Sequence, residues 1–192
     1  MNVLIFGHSF TRRLCEWCVP RGLSNLNLDP NRLKVFWHGI GGASIQPHHP
    51  KSLQRDINLI ADLQISIVYV DIGSNDLCDA AIQPEQFVEQ ISTFASQLLD
   101  LGCNIVILSE ILPRQNNDHY NSKVSTVNAL LEGKCSYSQK IVFWRHSRNN
   151  YNKRYLTHYV ARDGVHVGET GLPRFYSSVR GAVLFAEKKL AS

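Results

Sequence analysis

Five short apolar runs, interleaved with segments of helical spacing, limit what this chain can fold into more than any other feature: Val3–Phe6, Lys34–Trp37, Ile65–Val70, Ile105–Leu108 and Ile141–Trp144. Each run is continuous rather than alternating, which is how a strand buried on both faces reads. Between and after them lie Phe10–Cys18, Lys51–Leu63, Pro84–Leu101, His119–Leu131 and Gly171–Ala191, whose apolar residues recur at helical intervals. Pro84, Pro173 and Gly102 mark helix starts and an end. Strands alternating with helices pair in parallel through right-handed crossovers. The pattern predicts an α/β fold, a three-layer α/β/α sandwich with about five parallel strands. At 192 residues and 44% hydrophobic, the chain suits one domain over 1–192. It shows no repeat, low-complexity tract or linker, and nothing resembling a coiled coil.

Charge excludes little. The formal net charge of +4 is a mild excess, spread along the chain. The densest basic stretch, Arg145 to Arg154, reads as a solvated loop rather than a phosphate-binding surface. No run approaches the ~20 apolar residues needed to span a bilayer. The N-terminus lacks the basic region and apolar core of a signal peptide. The five cysteines form no disulfide-like pattern, which suits reduced thiols in an intracellular, cytoplasmic protein. Cys15 and Cys18 make a C-x-x-C inside the first helical segment, with no second pair to complete a zinc site. His48 and His49 read as loop residues. The glycines at Gly39, Gly41 and Gly42 lack the Lys-Ser/Thr ending of a phosphate loop and have no dinucleotide spacing. No metal or cofactor is expected.

In an open parallel sheet, ligands bind beyond the carboxyl ends of the strands. Small and polar residues collect there: Gly7-His8-Ser9, His38 to Ser44, Asp71 to Asp76, Ser109 to Arg114 and, before the last helix, Asp163 to Gly168. Acyl transfer at a serine needs a hydroxyl, a base, a group that orients the base, and donors for the oxyanion. Ser9 supplies a hydroxyl at a helix start, where backbone N–H groups favour negative charge. A lone serine there would more simply be an N-cap. His166 is the candidate base, and Asp163, three residues earlier, can fold back to its Nδ1–H. The Ser9 and Gly42 amides and the Asn75 side chain suit the oxyanion. Asp76 is expected to support its loop.

"GHS" at Gly7–Ser9, "GIGGAS" at Gly39–Ser44, "GSND" at Gly73–Asp76 and "DGVH" at Asp163–His166 resemble, in order and spacing, the motifs of the SGNH hydrolases, the GDSL-type esterases and lipases. The resemblance covers essentially the whole chain. It implies a flavodoxin-like fold, Ser9 as nucleophile, His166 as base, Asp163 as its partner, and Gly42 and Asn75 as oxyanion donors, without metal or cofactor. "RDGVH" at Arg162–His166 also resembles the esterase domain of some retrotransposon first-reading-frame proteins. Two positions depart from the family. His8 stands where aspartate is usual, and Ala43 stands where Asp or Asn would help fix the loop. His8 and Arg114 are the expected contacts to substrate, Arg114 meeting a negative group.

The reading is a serine esterase acting on a small ester, with short acyl chains favoured because the segments between strands leave no long lid. The alternative is an SGNH-fold binding module for lipid, glycan or nucleic acid, motivated by His8 and Ala43.

Overall fold

The computed structural model describes residues 1–146 and 160–192. Arg148, Tyr151, Lys153 and Arg154 of the basic stretch lie outside the described residues. In chain order the elements are β1 (Asn2–Gly7), α1 (Ser9–Cys18), β2 (Lys34–Gly39), α2 (Leu59–Asp62), β3 (Ile65–Asp71), α3 (Pro84–Asp100), β4 (Ile105–Ser109), α4 (Asp118–Cys135), β5 (Ile141–Trp144) and α5 (Leu172–Ala191). All strand pairings are parallel, in the order β2-β1-β3-β4-β5. That is the flavodoxin-like order.

Side chains alternate across the sheet, so each continuous apolar run feeds two cores. Val3, Ile5, Ile67, Tyr69, Ile105 and Ile107 pack with α1 and α5 on one face. Leu4, Phe6, Val68, Val70, Val106 and Leu108 pack with α3 and α4 on the other. The register sets Gly7 beside both Gly39 and Asp71, which brings the loops after β1, β2 and β3 to one edge. Gly7 is required by this closeness: a Cβ there would lie 2.3 Å from the Asp71 carbonyl oxygen.

One predicted helix differs. Lys51–Leu63 is a 3₁₀ turn at Leu53–Asp56 followed by the one-turn α2. Tertiary bonds draw its first residues away from helical pairing. The Leu53 amide donates to Ser44 and the Lys51 carbonyl accepts from Ser44, in a parallel bridge between Ser44 and Ser52. Ser52 then caps the short turn through the Gln54 amide.

A partly buried polar chain joins α5 to the β3–β5 edge. The Trp144 indole N–H donates to Ser178 Oγ (3.0 Å), which lies 3.0 Å from His146 Nδ1. His146 Nε2 lies 2.9 Å from Ser109 Oγ, which also accepts from the Tyr69 hydroxyl at 2.9 Å. The imidazole thus bridges the Ser178 and Ser109 hydroxyls. Burial pushes the His146 imidazole down to about 4, so it is neutral near pH 7.

Candidate active site

The chain enters α1 through a histidine, not a serine. His8 occupies the N-cap, and its Nδ1 accepts the Phe10 N–H at 3.3 Å. Ser9 is thus the first helical residue, and its hydroxyl is not used for capping. The side chain of His8, expected to contact substrate, is buried, with Nε2 3.8 Å from Asp71 Oδ1. Asp71 is itself buried and accepts from the Thr11 hydroxyl at 3.2 Å. Burial raises its carboxyl above the usual range, against the lowering effect of His8 and Thr11.

Ser9 Oγ lies 2.8 Å from His166 Nε2, and His166 Nδ1 lies 2.8 Å from Asp163 Oδ2. A carboxylate only accepts, so Nδ1 carries the proton and Nε2 accepts the Ser9 hydroxyl. Asp163 is fixed within its turn: Oδ1 accepts the backbone N–H of Val165 and of His166, each at 2.9 Å. Burial acts to raise the Asp163 carboxyl, yet those amides and the imidazole hold it well below the carboxylate range. Burial lowers His166 from its ordinary value, the Asp163 hydrogen bond acts to raise it, and the Arg13 charge adds to the lowering. The Phe10 ring meets the imidazole edge-on at 5.3 Å.

Gly42 sits in a turn closed by the Ala43 N–H on the Ile40 carbonyl (3.1 Å), with φ +79. That is the position where such a turn calls for positive φ, which glycine adopts without penalty. The Asn75 side-chain amide donates to the Ala43 carbonyl at 2.8 Å, joining the glycine loop to the loop after β3. Asp76 completes this joint, accepting from the Ser44 hydroxyl and from the Ile45 N–H at 3.0 Å. Ser44 and Asp76 therefore fix the loop, while Ala43 is buried in the core.

Arg114 is not placed as expected. Its guanidinium donates to the Ser74 carbonyl (2.9 Å) and hydroxyl (3.2 Å) and stacks on the Tyr120 ring. Arg13 was missed as a neighbour of the site. Its Nη2 is 3.5 Å from Asp163 Oδ2. The signal was its position four residues after Ser9, on the same helix face.

Other candidates stay outside the site. Burial pushes the Cys18 thiol up to about 12 and raises that of Cys15, the opposite of an activated C-x-x-C. His49 Nδ1 accepts the Lys51 N–H within its loop. Among the described residues no His, Cys, Asp and Glu cluster is placed to hold a metal ion. No helix among the described residues is long and apolar enough to cross a membrane.

Against this geometry, residues 3–178 match the family model for GDSL-like Lipase/Acylhydrolase. A carbohydrate esterase family 3 from Talaromyces cellulolyticus shares the fold at 14% identity and TM-score 0.72, covering 98% of each chain. A mutant acetyl esterase with an acetate ion is 15% identical, TM-score 0.68, covering 99% of each chain. The Clostridium thermocellum family 3 carbohydrate esterase is 15% identical, TM-score 0.65, covering 100% of this chain and 99% of that one. No curated protein matches the chain.

Proposed function

Because this chain belongs to the GDSL-like lipase/acylhydrolase family, we propose that it is a serine esterase that hydrolyses short-chain, acetyl-type esters through an acyl-enzyme. The observation that carries the reading is the unbroken Asp163–His166–Ser9 hydrogen-bond chain, 2.8 Å at both links.

In the proposed reaction, Ser9 Oγ attacks the ester carbonyl as His166 Nε2 takes its proton. The tetrahedral oxyanion is met by the Ser9 and Gly42 backbone N–H groups and by the Asn75 amide. Asn75 retains a second N–H beyond the one it donates to Ala43. Collapse breaks the carbonyl–alkoxy bond, and His166 returns the proton to the leaving alcohol. Water then attacks the acyl-enzyme while His166 takes its proton. Collapse returns that proton to Ser9 and releases the carboxylic acid. Asp163 keeps the imidazole in the Nδ1–H tautomer and stabilises the imidazolium between the two proton transfers.

A structural neighbour named as an acetyl esterase supports the choice of a short acyl group. His8 and Ala43, the features that favoured a binding module, are both buried parts of the packing.

The test is hydrolysis of p-nitrophenyl esters of increasing chain length. The reading predicts turnover that is greatest for acetate and falls with chain length. Folded protein that hydrolyses none of the series would contradict it.

A further inference from the structure

The segment between β4 and α4 ties together two loops of the site. The Arg114 guanidinium reaches Ser74, donating to its carbonyl and its hydroxyl at 2.9 and 3.2 Å. Ser74 immediately precedes Asn75. The next residue, Gln115, donates its backbone N–H to the Gly164 carbonyl at 2.8 Å, inside the turn that carries Asp163 and His166. Two consecutive residues thus hold the oxyanion side and the acid–base side.

The segment is in turn fastened to α4. The Asn121 side chain accepts the Arg114 N–H and donates to the Arg114 carbonyl, both at 2.8 Å. The Tyr120 hydroxyl lies 3.1 Å from Ser74 Oγ and 3.3 Å from the Leu112 carbonyl. Its ring lies 4.6 Å from the Arg114 guanidinium carbon. Arg114 Nε is buried without a hydrogen-bond partner. A buried donor left unpaired weakens a fold.

We propose that Arg114 and Asn121 are positioning residues which, with the Gln115 backbone, form a strap from α4 that holds the Asn75 loop and the Asp163–His166 turn in register for acyl transfer. This rests on the hydrolytic reading above. Neither residue touches the reacting atoms. Arg114 acts through Asn75, and Asn121 acts through the peptide that binds Gly164.

The experiment compares wild type, Arg114→Met, Asn121→Ala, Asn75→Ala and the Arg114→Met/Asn75→Ala double variant on p-nitrophenyl acetate. Arg114→Met should lower kcat by about 10- to 100-fold with KM within about 3-fold, as expected for misplaced machinery. Its urea midpoint reports separately the stability lost with the Ser74 hydrogen bonds, and the protein must remain folded under the assay conditions. In the Asn75→Ala background the same change should cost less than about 2-fold, because its effect passes through Asn75. An unchanged kcat, or an equal loss in both backgrounds, would overturn the proposal. Independently of turnover, Asn121→Ala should speed amide exchange at Gln115 by about 10-fold or more as the strap loosens. Unchanged exchange would overturn the strap. Should wild type hydrolyse no ester, the hydrolytic reading falls and Gln115 exchange alone decides the strap.

Discussion

The sharpest local choice in this chain is at His8. The family's usual aspartate would here face the buried Asp71 carboxylate, whereas histidine both opposes that carboxylate and caps α1. His8→Asp should therefore destabilise the fold by about 1–3 kcal/mol, through two carboxylates in one buried site. Adding Asp71→Asn should recover most of the loss. His8→Asn keeps a cap acceptor and should cost about 1 kcal/mol or less. Urea unfolding of the four proteins, wild type included, checks this. The His166 environment gives a second expectation. The proposed base works only when neutral, and burial holds its pKa below the ordinary histidine value. Activity should rise with pH through an inflection below 6.5 and stay level above it. Asp163 raises that pKa by stabilising the imidazolium, so Asp163→Asn should move the inflection lower still. It should also reduce kcat/KM by about 10²–10⁴-fold through loss of the Nδ1–H tautomer. A pH profile of kcat/KM for both proteins decides it. An inflection moved upward would contradict the assignment.

Loops rather than helices separate what the sequence disclosed from what it did not. Ser9, Asn75, Asp163 and His166 were legible because each follows a strand, or precedes the last helix, in a motif whose residue types suit one chemistry. The partners of those loops were not legible. Asp71 meets His8 only because β1 and β3 are neighbours, and Arg114 meets Ser74 only because β3 and β4 are. Such contacts depend on strand order, which periodicity does not encode. The same cause explains the broken segment at Lys51–Leu63. Its apolar spacing is helical, but the bridge to Ser44 redirects its backbone bonds. The joint between the glycine loop and the loop after β3 carries its own prediction. Asp76→Ala removes the acceptor for the Ser44 hydroxyl and the Ile45 amide, freeing the loop that bears Gly42. Turnover should fall by about 10²-fold, the scale of misplaced oxyanion donors. Parallel steady-state assays of Asp76→Ala and wild type check it, and equal kcat would contradict it.

At the scale of the whole molecule, the architecture was legible because strands buried on both faces leave continuous apolar runs. The parallel sheet and its helices on both sides agree with the predicted sandwich. The polar chain through His146 was not legible. Its members Tyr69, Ser109, Trp144 and Ser178 come from three strands and a helix, and nothing local marks them as partners. Its consequence is global. The unfolded chain takes up the His146 proton near pH 6.5, whereas the folded chain does so only near 4. Unfolding therefore gains a proton between these values. The His146 contribution to stability is complete above pH 6.5, is lost as pH falls towards 4, and is constant below that. Its size is about 3 kcal/mol. The difference in urea unfolding between wild type and His146→Asn, followed from pH 7 to 4, isolates it. A difference that does not change with pH would contradict a buried neutral imidazole.

The central claim is that Ser9 is the nucleophile and His166 its base. A fluorophosphonate labels a serine by the same attack and proton transfer as an ester, but the adduct persists. Tryptic mapping of labelled wild type should place the phosphonyl group on Ser9, in the peptide from Met1 to Arg12. Neither Ser9→Ala nor His166→Ala should be labelled there at a comparable rate. Labelling at another serine, or wild-type esterase turnover with Ser9 unmodified, would contradict the account.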